Sequence, residues 1–291
     1  ISSLVSELKN RLIGGRIYKI YQPEQDEICI IIKNKSEEGN TTNRLIISAS
    51  ASLPLMYLTE QTKENPVVAP NFCMLLRKHI GNGRILDITQ PDFERIVEFT
   101  IEHLDEMGDL CTKKLIVEIM GKHSNIIFCD STGKIIDSIK HISGMVSSVR
   151  EVLPGREYFI PDTMGKKDPL SVDFETFTDS FSKSTPTFKA LYTSFTGFSP
   201  TIAQEICYRA KIDSDLPANV LDDTQKKDLF DTFLGIITLV KNGEFTPFIY
   251  SLNGIPQEFC VLNLTTFSHC EATEFDNISV LLEAYYATKN K

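Results

Sequence analysis

Short apolar segments rich in isoleucine dominate the first half of this sequence, and turn residues separate them. EICIIIKN at 27–34 and RLIISAS at 44–50 are two of them, with the polar loop KSEEGNTTN between. Segments of this length, with β-branched residues and polar or glycine boundaries, are typical of strands joined by hairpins. The sequence therefore predicts an antiparallel sheet.

Helical patterns accompany and follow these strands. Leucines recur at a helical spacing in residues 4–12, and residues 71–80 show a similar pattern before a glycine stop. After a proline- and glycine-rich stretch with the composition of a linker, residues 171–243 are helical in pattern. Residues 244–291 return to strands and the start of a last helix. We therefore predict an α+β fold with segments 1–165, 171–243 and 244–291.

Length and composition limit the class of protein. The chain has 291 residues, 42% of them hydrophobic, which is enough for two cores, since single cores usually stop growing near this length. Its seven cysteines are scattered without a CxxC, so a secreted disulfide framework is not expected. No signal peptide or apolar run of roughly 18 residues is present. These features predict a cytoplasmic protein with no membrane partner.

The net charge is −9, from 30 basic and 39 acidic residues. Such a chain is a poor candidate for non-specific nucleic-acid binding through bulk charge. Any contact with RNA must therefore come from local basic clusters. The candidates are Arg77-Lys78, Arg84 with Arg95, Lys113-Lys114 and Lys166-Lys167.

A polar insert interrupts the apolar run LIVEIMGKHSNIIFCD at residues 115–130. The insert consists of Lys122, His123, Ser124 and Asn125, after a glycine that can adopt a positive φ. Two interpretations stay open: a plain turn between buried strands, or a site held at the end of a rigid sheet. His123 has the chemistry of a metal ligand, a base or a reader of RNA, but no second His or Cys lies at metal-ligand spacing.

Two further places carry candidate chemistry. In QPDFERIVEF, Glu94 and Arg95 lie where a turn becomes a strand. A guanidinium at this position can make bidentate hydrogen bonds to a phosphate. The alternative interpretation is a solvated ion pair on the surface. In SFTGFSPTIAQEICYRA, Gly197 separates two helical segments, and Ser199 stands where a helix-hairpin-helix motif prefers a second glycine. That motif binds a phosphate at a helix N-terminus, and a simple helix-to-helix turn is the alternative.

Patterns of catalytic sites are missing from the sequence. It contains no GxSxG elbow, no P-loop and no GxGxxG after a strand. We therefore expect no catalytic residue, no metal and no cofactor, and we predict a binding protein rather than an enzyme.

Several strings together resemble the N-terminal half of the NFACT family over essentially the whole chain. They are IGGRIYKIYQP, NFCMLLRKHI, the ERI after a short turn, VEIMGKHSNII, IIDSIKHI and VLPGREY, in this order. The family includes bacterial proteins named fibronectin-binding protein A and factors of ribosome-associated quality control.

This resemblance implies a fold and a function. Members have an N-terminal domain folded like that of formamidopyrimidine-DNA glycosylase, here residues 1–165, and a helix-hairpin-helix domain, here residues 171–243. The mixed tail 244–291 leads towards a coiled coil that is absent from this sequence. Members bind the large ribosomal subunit that carries an obstructed peptidyl-tRNA, and recruit a tRNA, alanyl-tRNA in bacteria, for template-free C-terminal tailing of stalled nascent chains.

The resemblance also implies site residues. A family Asp-Arg pair that handles tRNA aligns with Glu94-Arg95, where Glu94 keeps the charge and adds a methylene. Lys122 stands where arginine is frequent, a change that keeps the charge and loses bidentate geometry. The residues expected to contact tRNA are Glu94, Arg95, Lys122, His123, Ser124, Asn125, Arg77 and Lys78, with Gly197 and Ser199 as a phosphate-binding hairpin.

Two other functions are alternatives. A surface adhesin that binds fibronectin or fibrinogen follows from the name of some members, but no export signal, sorting motif or disulfide pattern supports it. A DNA-processing enzyme follows from the glycosylase likeness. However, that enzyme relies on an N-terminal proline and a zinc finger, whereas this chain starts with Ile1 and has no CxxC.

Overall fold

A computed structural model describes residues 1–162 and 165–289. Residues 163 and 164, in the predicted linker, and residues 290 and 291 lie outside the described part. The chain divides into two compact units, the first with residues 1, 3–91 and 95–161 and the second with residues 2, 92–94 and 162–291. The boundaries of the three predicted segments stay predictions.

The first unit is built on a nine-stranded antiparallel sheet. Its strands are β1 (Arg16–Glu24), β2 (Glu27–Ser36), β3 (Gly39–Ser48), β4 (Leu55–Thr59), β5 (Arg84–Thr89), β6 (Ile96–Leu104), β7 (Leu110–Glu118), β8 (Asn125–Asp130) and β9 (Ile135–Ser138). Their order is β4-β3-β2-β1-β5-β6-β7-β8-β9, so most neighbours are also consecutive in the chain. The prediction of a mixed fold of helices and strands with a large antiparallel sheet is confirmed.

Two helices complete the first unit, α1 (Ser2–Leu12) and α2 (Asn71–Ile80). α1 buries the leucines at its helical spacing, and α2 leads from β4 to β5. Strands β1 and β5 pair through Arg16 and Arg84. Further along β1, the Ile20 carbonyl instead accepts hydrogen bonds from α2, from Cys73 Sγ at 3.4 Å and Arg77 Nε at 2.7 Å. The helix therefore satisfies part of the β1 edge that β5 leaves unpaired.

The second unit is mostly helical. Its elements are α3 (Phe174–Asp179), α4 (Thr187–Ser194), α5 (Pro200–Arg209), α6 (Asp223–Lys241), a sheet of β10 (Phe248–Leu252), β11 (Ile255–Cys260) and β12 (Glu271–Glu274), and α7 (Ile278–Lys289). Phe177 lies at the centre of its core, with ring centroids 5.1, 5.6 and 5.0 Å from those of Phe181, Phe195 and Phe233. Leu262, from the C-terminal part, belongs to the same buried cluster.

Helix α6 begins with a capping box. The Asp222 carboxylate accepts a hydrogen bond from the Gln225 N–H at 2.8 Å, and the Gln225 side-chain carbonyl accepts one from the Asp222 N–H at 3.0 Å. These bonds satisfy backbone donors at the helix start that have no partner within the helix. Because α6 carries Leu229 and Phe233 into the core, this cap supports the second unit.

We predict that Asp222→Ala lowers the free energy of unfolding by about 1 kcal/mol, the usual cost of losing a side-chain N-cap. Asp231→Ala removes an exposed carboxylate from the middle of the same helix and serves as the control, with an expected change within about 0.5 kcal/mol. Urea denaturation followed by circular dichroism measures both changes. Equal effects of the two substitutions would contradict a capping role.

Candidate functional site at one end of the sheet

One end of the nine-stranded sheet brings Arg95 and the polar insert together. β6 begins after Arg95, β7 ends at Glu118 and β8 begins at Asn125, and both strand pairs are antiparallel. The Ile119 N–H donates to the Arg95 carbonyl at 2.9 Å, which continues the ladder between β6 and β7 by one step. Strand register thus places two separate sequence motifs side by side.

The insert forms a 3₁₀ turn, Gly121–His123, whose backbone is held by Ser124. The Ser124 hydroxyl accepts a hydrogen bond from the Met120 N–H at 2.8 Å and donates one to the Gly121 carbonyl at 2.7 Å. Ser124 is buried, and Gly121 has a φ of 57°, a conformation that favours glycine. The hydroxyl is therefore used as both donor and acceptor inside the loop.

Asn125 ties the insert to the segment that follows β9. Its side-chain amide donates to the Lys140 carbonyl at 3.0 Å, and its side-chain carbonyl accepts from the Lys140 N–H at 3.1 Å. The residue is buried, so these bonds are made away from water. For Ser124 and Asn125 the geometry favours the structural alternative, and their contact with tRNA stays a prediction.

The other two residues of the insert, Lys122 and His123, are exposed on this turn, and Arg95 is exposed as well. The Arg95 guanidinium offers five N–H donors in a planar fork, Lys122 offers a compact charge, and His123 offers ring nitrogens that donate or accept. This end of the sheet therefore presents groups suited to a phosphate or the edge of a base.

A buried carboxylate underlies this end of the sheet. Glu118 is fully buried, and its register partner on β8 is Asn125. The carboxylate accepts hydrogen bonds from Arg150 Nη2 and from the Tyr158 hydroxyl, the latter at 2.8 Å, while Arg150 Nη1 donates to the Phe159 carbonyl at 2.8 Å. Burial, and secondly the Glu118 charge, raise the pKa of Tyr158, so the phenol stays protonated and donates.

Sequence reasoning missed this network of Glu118, Arg150 and Tyr158. A signal existed for Glu118, because a glutamate inside the apolar run LIVEIM is almost never fully buried without a partner. Nothing in the sequence indicated that Arg150 is that partner, because Arg150 lies 32 residues further along the chain.

The turn before Arg95 has an unusual backbone. Asp92 and Phe93, in the 3₁₀ turn Pro91–Phe93, both have positive φ, 50° and 58°. Residues other than glycine rarely adopt this region, and such residues cluster at functional sites. The 3₁₀ turn ends at Phe93 and β6 begins at Ile96, so the expected transition from turn to strand is found at Glu94 and Arg95. Glu94 is half-buried. Their joint action on tRNA stays a prediction.

Arg77 and Lys78 are not brought to this end of the sheet. Arg77 donates to a carbonyl of β1, and Lys78 forms a salt bridge with Glu106 at 3.3 Å. Glu106 follows β6, whereas Arg95 precedes it, and the nine residues of β6 span roughly 30 Å at about 3.4 Å per residue. The structure therefore separates the predicted tRNA-binding residues into two groups.

Gly197 and Ser199 lie in the second unit, in the turn between α4 and α5. Gly197 has a φ of 83°, and a Cβ at this position would lie 2.3 Å from Phe93 Cδ1, so only glycine fits. The Ser199 hydroxyl accepts from the Ile202 N–H at 3.2 Å as the N-cap of α5, and Pro200 has no N–H. Fewer free donors remain here than at a typical helix start, and phosphate binding stays a prediction.

Within residues 1–162 and 165–289, no group of three or more His, Cys, Asp or Glu side chains is placed to hold a metal ion. None of the helices in this part of the chain is both long and apolar enough to cross a membrane. All seven cysteines are free thiols.

These features define an α+β protein with a nine-stranded antiparallel sheet, a mostly helical second unit and a cationic sheet end. The family model for the NFACT N-terminal and middle domains matches residues 1–291. The chain therefore belongs to the NFACT family, as its sequence strings predicted.

Relatives with curated names cover the chain almost completely. The Rqc2 homolog RqcH of Bacillus subtilis (strain 168) is 36% identical over 288 residues, which is 98% of this chain and 48% of the relative. The archaeal Rqc2 homolog aRqcH of Methanocaldococcus jannaschii is 30% identical over 241 residues, 79% of this chain and 33% of the relative. The chain thus spans about half the length of the bacterial relative.

Solved structures share the fold. The crystal structure of the fibrinogen binding protein from Staphylococcus aureus matches with a TM-score of 0.81 and 28% identity, over 98% of this chain and 96% of that one. The N-terminal structure of the fibronectin/fibrinogen-binding protein from Streptococcus suis matches with a TM-score of 0.78 and 31% identity, over 99% and 97%. The arrangement of elements is thus found in experimental structures of similar proteins.

We predict that Glu118→Gln lowers the free energy of unfolding by about 3–5 kcal/mol, because the Arg150 charge is left buried without its carboxylate. Glu106→Gln is the control: it breaks a pair with Lys78 whose side chains are 85% and 66% exposed, and should cost at most about 1 kcal/mol. Urea denaturation compares the two. A Glu118→Gln protein as stable as the parent would show that the network does not hold this sheet end.

Proposed function

We propose that this chain is the tRNA- and large-ribosomal-subunit-binding module of a ribosome-associated quality-control factor. The factor recruits alanyl-tRNA to peptidyl-tRNA-obstructed ribosomes for template-free C-terminal tailing of stalled nascent chains. The module acts by binding in the cytoplasm, with no catalytic residue and no cofactor of its own. Membership of the NFACT family, and similarity to relatives named Rqc2 homologs, support this proposal.

The observation that carries the proposal is the group of exposed cationic and hydrogen-bonding side chains at one end of the sheet. Arg95, Lys122 and His123 are exposed there, on turns held by backbone ladders and by buried polar side chains. On a chain with a net charge of −9, RNA binding requires such a local group, because the bulk charge repels phosphates. A rigid support lowers the entropic cost of ordering these groups on binding.

Within this site, Arg95 has the chemistry for the specific contact. A guanidinium can make two parallel hydrogen bonds to a phosphate or a guanine edge, whereas Lys122 contributes a point charge without a fixed direction. The proposed role of Glu94 is to orient Arg95, and that of His123 is to donate to or accept from a base. Ser124 and Asn125 then contribute to binding indirectly, because they fix the conformation of the loop that carries Lys122 and His123.

We predict that Arg95→Ala weakens capture of alanyl-tRNA by about 5- to 160-fold, as expected for the loss of a bidentate contact of about 1–3 kcal/mol. The free energy of unfolding should change within about 0.5 kcal/mol, because the side chain is exposed. Filter binding of labelled tRNA and urea denaturation measure the two effects.

Arg156→Ala provides a matched control for this experiment, since Arg156 is also in the first unit and its side chain is 62% exposed. It should leave tRNA capture unchanged. A folded Arg95→Ala protein that captures tRNA as well as the parent would remove Arg95 from the site. In cells, RNA crosslinked to the full-length protein should include one tRNA class and large-subunit rRNA, with the tRNA signal lost on Arg95→Ala.

The second candidate is a surface adhesin that binds fibronectin or fibrinogen. It is favoured by the similarity to the Staphylococcus aureus and Streptococcus suis proteins, whose structures carry these names. Surface plasmon resonance with immobilised fibronectin separates the two candidates. Saturable binding to fibronectin that Arg95→Ala does not alter, together with no capture of tRNA, would favour the adhesin.

We further propose that residues 1–165 have the glycosylase-like topology and that residues 171–243 form a helix-hairpin-helix domain. The pair α4 and α5 around Gly197 supports the second assignment, because a short turn with a glycine at positive φ joins the two helices.

A further inference from the structure

A second cationic surface lies on the first unit, on the strands β1, β2 and β3. β1 pairs with the end of β5 that is farthest from Arg95, so this surface is separate from the candidate site. Two adjoining concavities, of about 490 and 390 Å³, open here and share Tyr18, Lys19 and Tyr21. We call this the Tyr18 surface; it consists of Tyr18, Lys19, Tyr21, Ile31, Lys33 and Arg44.

Strand register explains why these side chains share one face. Lys19 lies opposite Ile31, and Ile31 lies opposite Arg44, so the three form a row across β1, β2 and β3. The alternate residues Ile30 and Ile32 are buried on the other face. The pairing of β1 with β2 shifts between Ile17 and Lys19, which leaves Tyr18 without a register partner. Such a bulge re-aims a side chain, and Tyr18 is 49% exposed.

Cationic groups surround the aromatic rings of this surface. Lys33 Nζ lies 3.6 Å from the centroid of the Tyr18 ring, and the Arg77 guanidinium carbon lies 5.6 Å from that of Tyr21. Among the described residues, no salt bridge includes Lys19, Lys33 or Arg44. Glu60 is the only carboxylate among the described residues that line the two concavities. The surface therefore carries a local positive charge on an acidic protein.

Arg44 is the residue of this surface whose surroundings best suit a bound anion. It is half-buried, and its Nη1 lies 3.6 Å from Cys29 Sγ. Burial raises the pKa of the Cys29 thiol, although the Arg44 hydrogen bond opposes this, so the thiol stays neutral and does not balance the guanidinium. Arg44 is partly removed from water and forms no salt bridge among the described residues, so it gains from an anionic ligand. Phosphate matches the planar fork of its guanidinium.

We propose that the Tyr18 surface binds an unpaired segment of RNA, with a base stacked on the face of the Tyr18 ring opposite Lys33 and backbone phosphates beside Lys33 and Arg44. Exposed aromatic rings combined with cations on an open sheet face are the means by which proteins hold single strands. A duplex fits less well, because its bases are already stacked on each other. The inference rests on the proposed function for the presence of RNA, but it uses residues other than Arg95.

The test is fluorescence anisotropy with a labelled 12-nucleotide oligo(A). Tyr18→Ala should weaken binding by about 5- to 160-fold, the range for loss of one stacked base. Tyr18→Phe should retain the affinity and Tyr18→Leu should lose it, which separates stacking from folding because both keep a bulky side chain. Lys33→Gln should lower the slope of log affinity against log salt by about 0.7.

Lys189→Gln is the matched control, since Lys189 is an exposed lysine of the second unit, and it should leave binding unchanged. Unlabelled oligo(A) should compete strongly, and duplex RNA of the same length and polyglutamate weakly. Equal competition by polyglutamate, or binding that survives Tyr18→Ala and Tyr18→Leu, would overturn the inference in favour of a site for any polyanion.

Arg95→Ala separates this inference from the proposed function. It should keep the affinity for oligo(A) while losing tRNA capture. If the parent binds oligo(A) through Tyr18 but captures no tRNA, the proposed function fails and the Tyr18 surface stands. If tRNA capture depends on Arg95 but oligo(A) does not bind, the Tyr18 surface fails alone.

Discussion

The buried carboxylate of Glu118 is the group on which the candidate site depends most. A fully buried ion costs several kcal/mol unless charge and hydrogen bonds compensate it, and here Arg150 and Tyr158 supply both. These partners come from beyond β9, so the same contact ties that segment to β7. β7 lies between β6 and β8 in the sheet. The position of its C-terminal end therefore determines where Arg95, just before β6, and the polar insert, just after β7, are placed.

The polar insert divides its residues between two tasks. Ser124 and Asn125 turn inward and satisfy backbone groups that would otherwise be buried without partners. Lys122 and His123 remain in solvent, on a turn whose backbone those inward bonds hold. The structural interpretation of Ser124 and Asn125 is therefore compatible with the predicted tRNA contacts of Lys122 and His123, because the two concern different side chains.

For binding of a polyanion, the positions of the cationic side chains in this protein matter more than its net charge. An acidic chain repels polyanions at long range, and salt screens that repulsion within about 10 Å at 0.1 M. Strand pairing brings the turn that carries Lys122 next to Arg95, and it places Lys33 and Arg44 on neighbouring strands. The two surfaces lie on different parts of one sheet, because β1 pairs with the end of β5 that is farthest from Arg95.

The sequence by itself determined the elements of the fold. Isoleucine-rich segments and turn residues predicted the strands, leucine spacing predicted α1, and the PDF turn placed Glu94 and Arg95 before a strand. The strings shared with the NFACT family identified the family. These features are local or consecutive in the chain, so propensity and periodicity are sufficient to detect them.

Only the tertiary structure decided which residues meet. The Glu118 partner, the burial of Asn125 against Lys140, and the separation of Arg77 and Lys78 from Arg95 all depend on strand order and register. So does the bulge that exposes Tyr18 beside Lys33. Contacts between distant positions carry no periodic signal, because they are selected by the packing of the whole sheet rather than by neighbours in the chain.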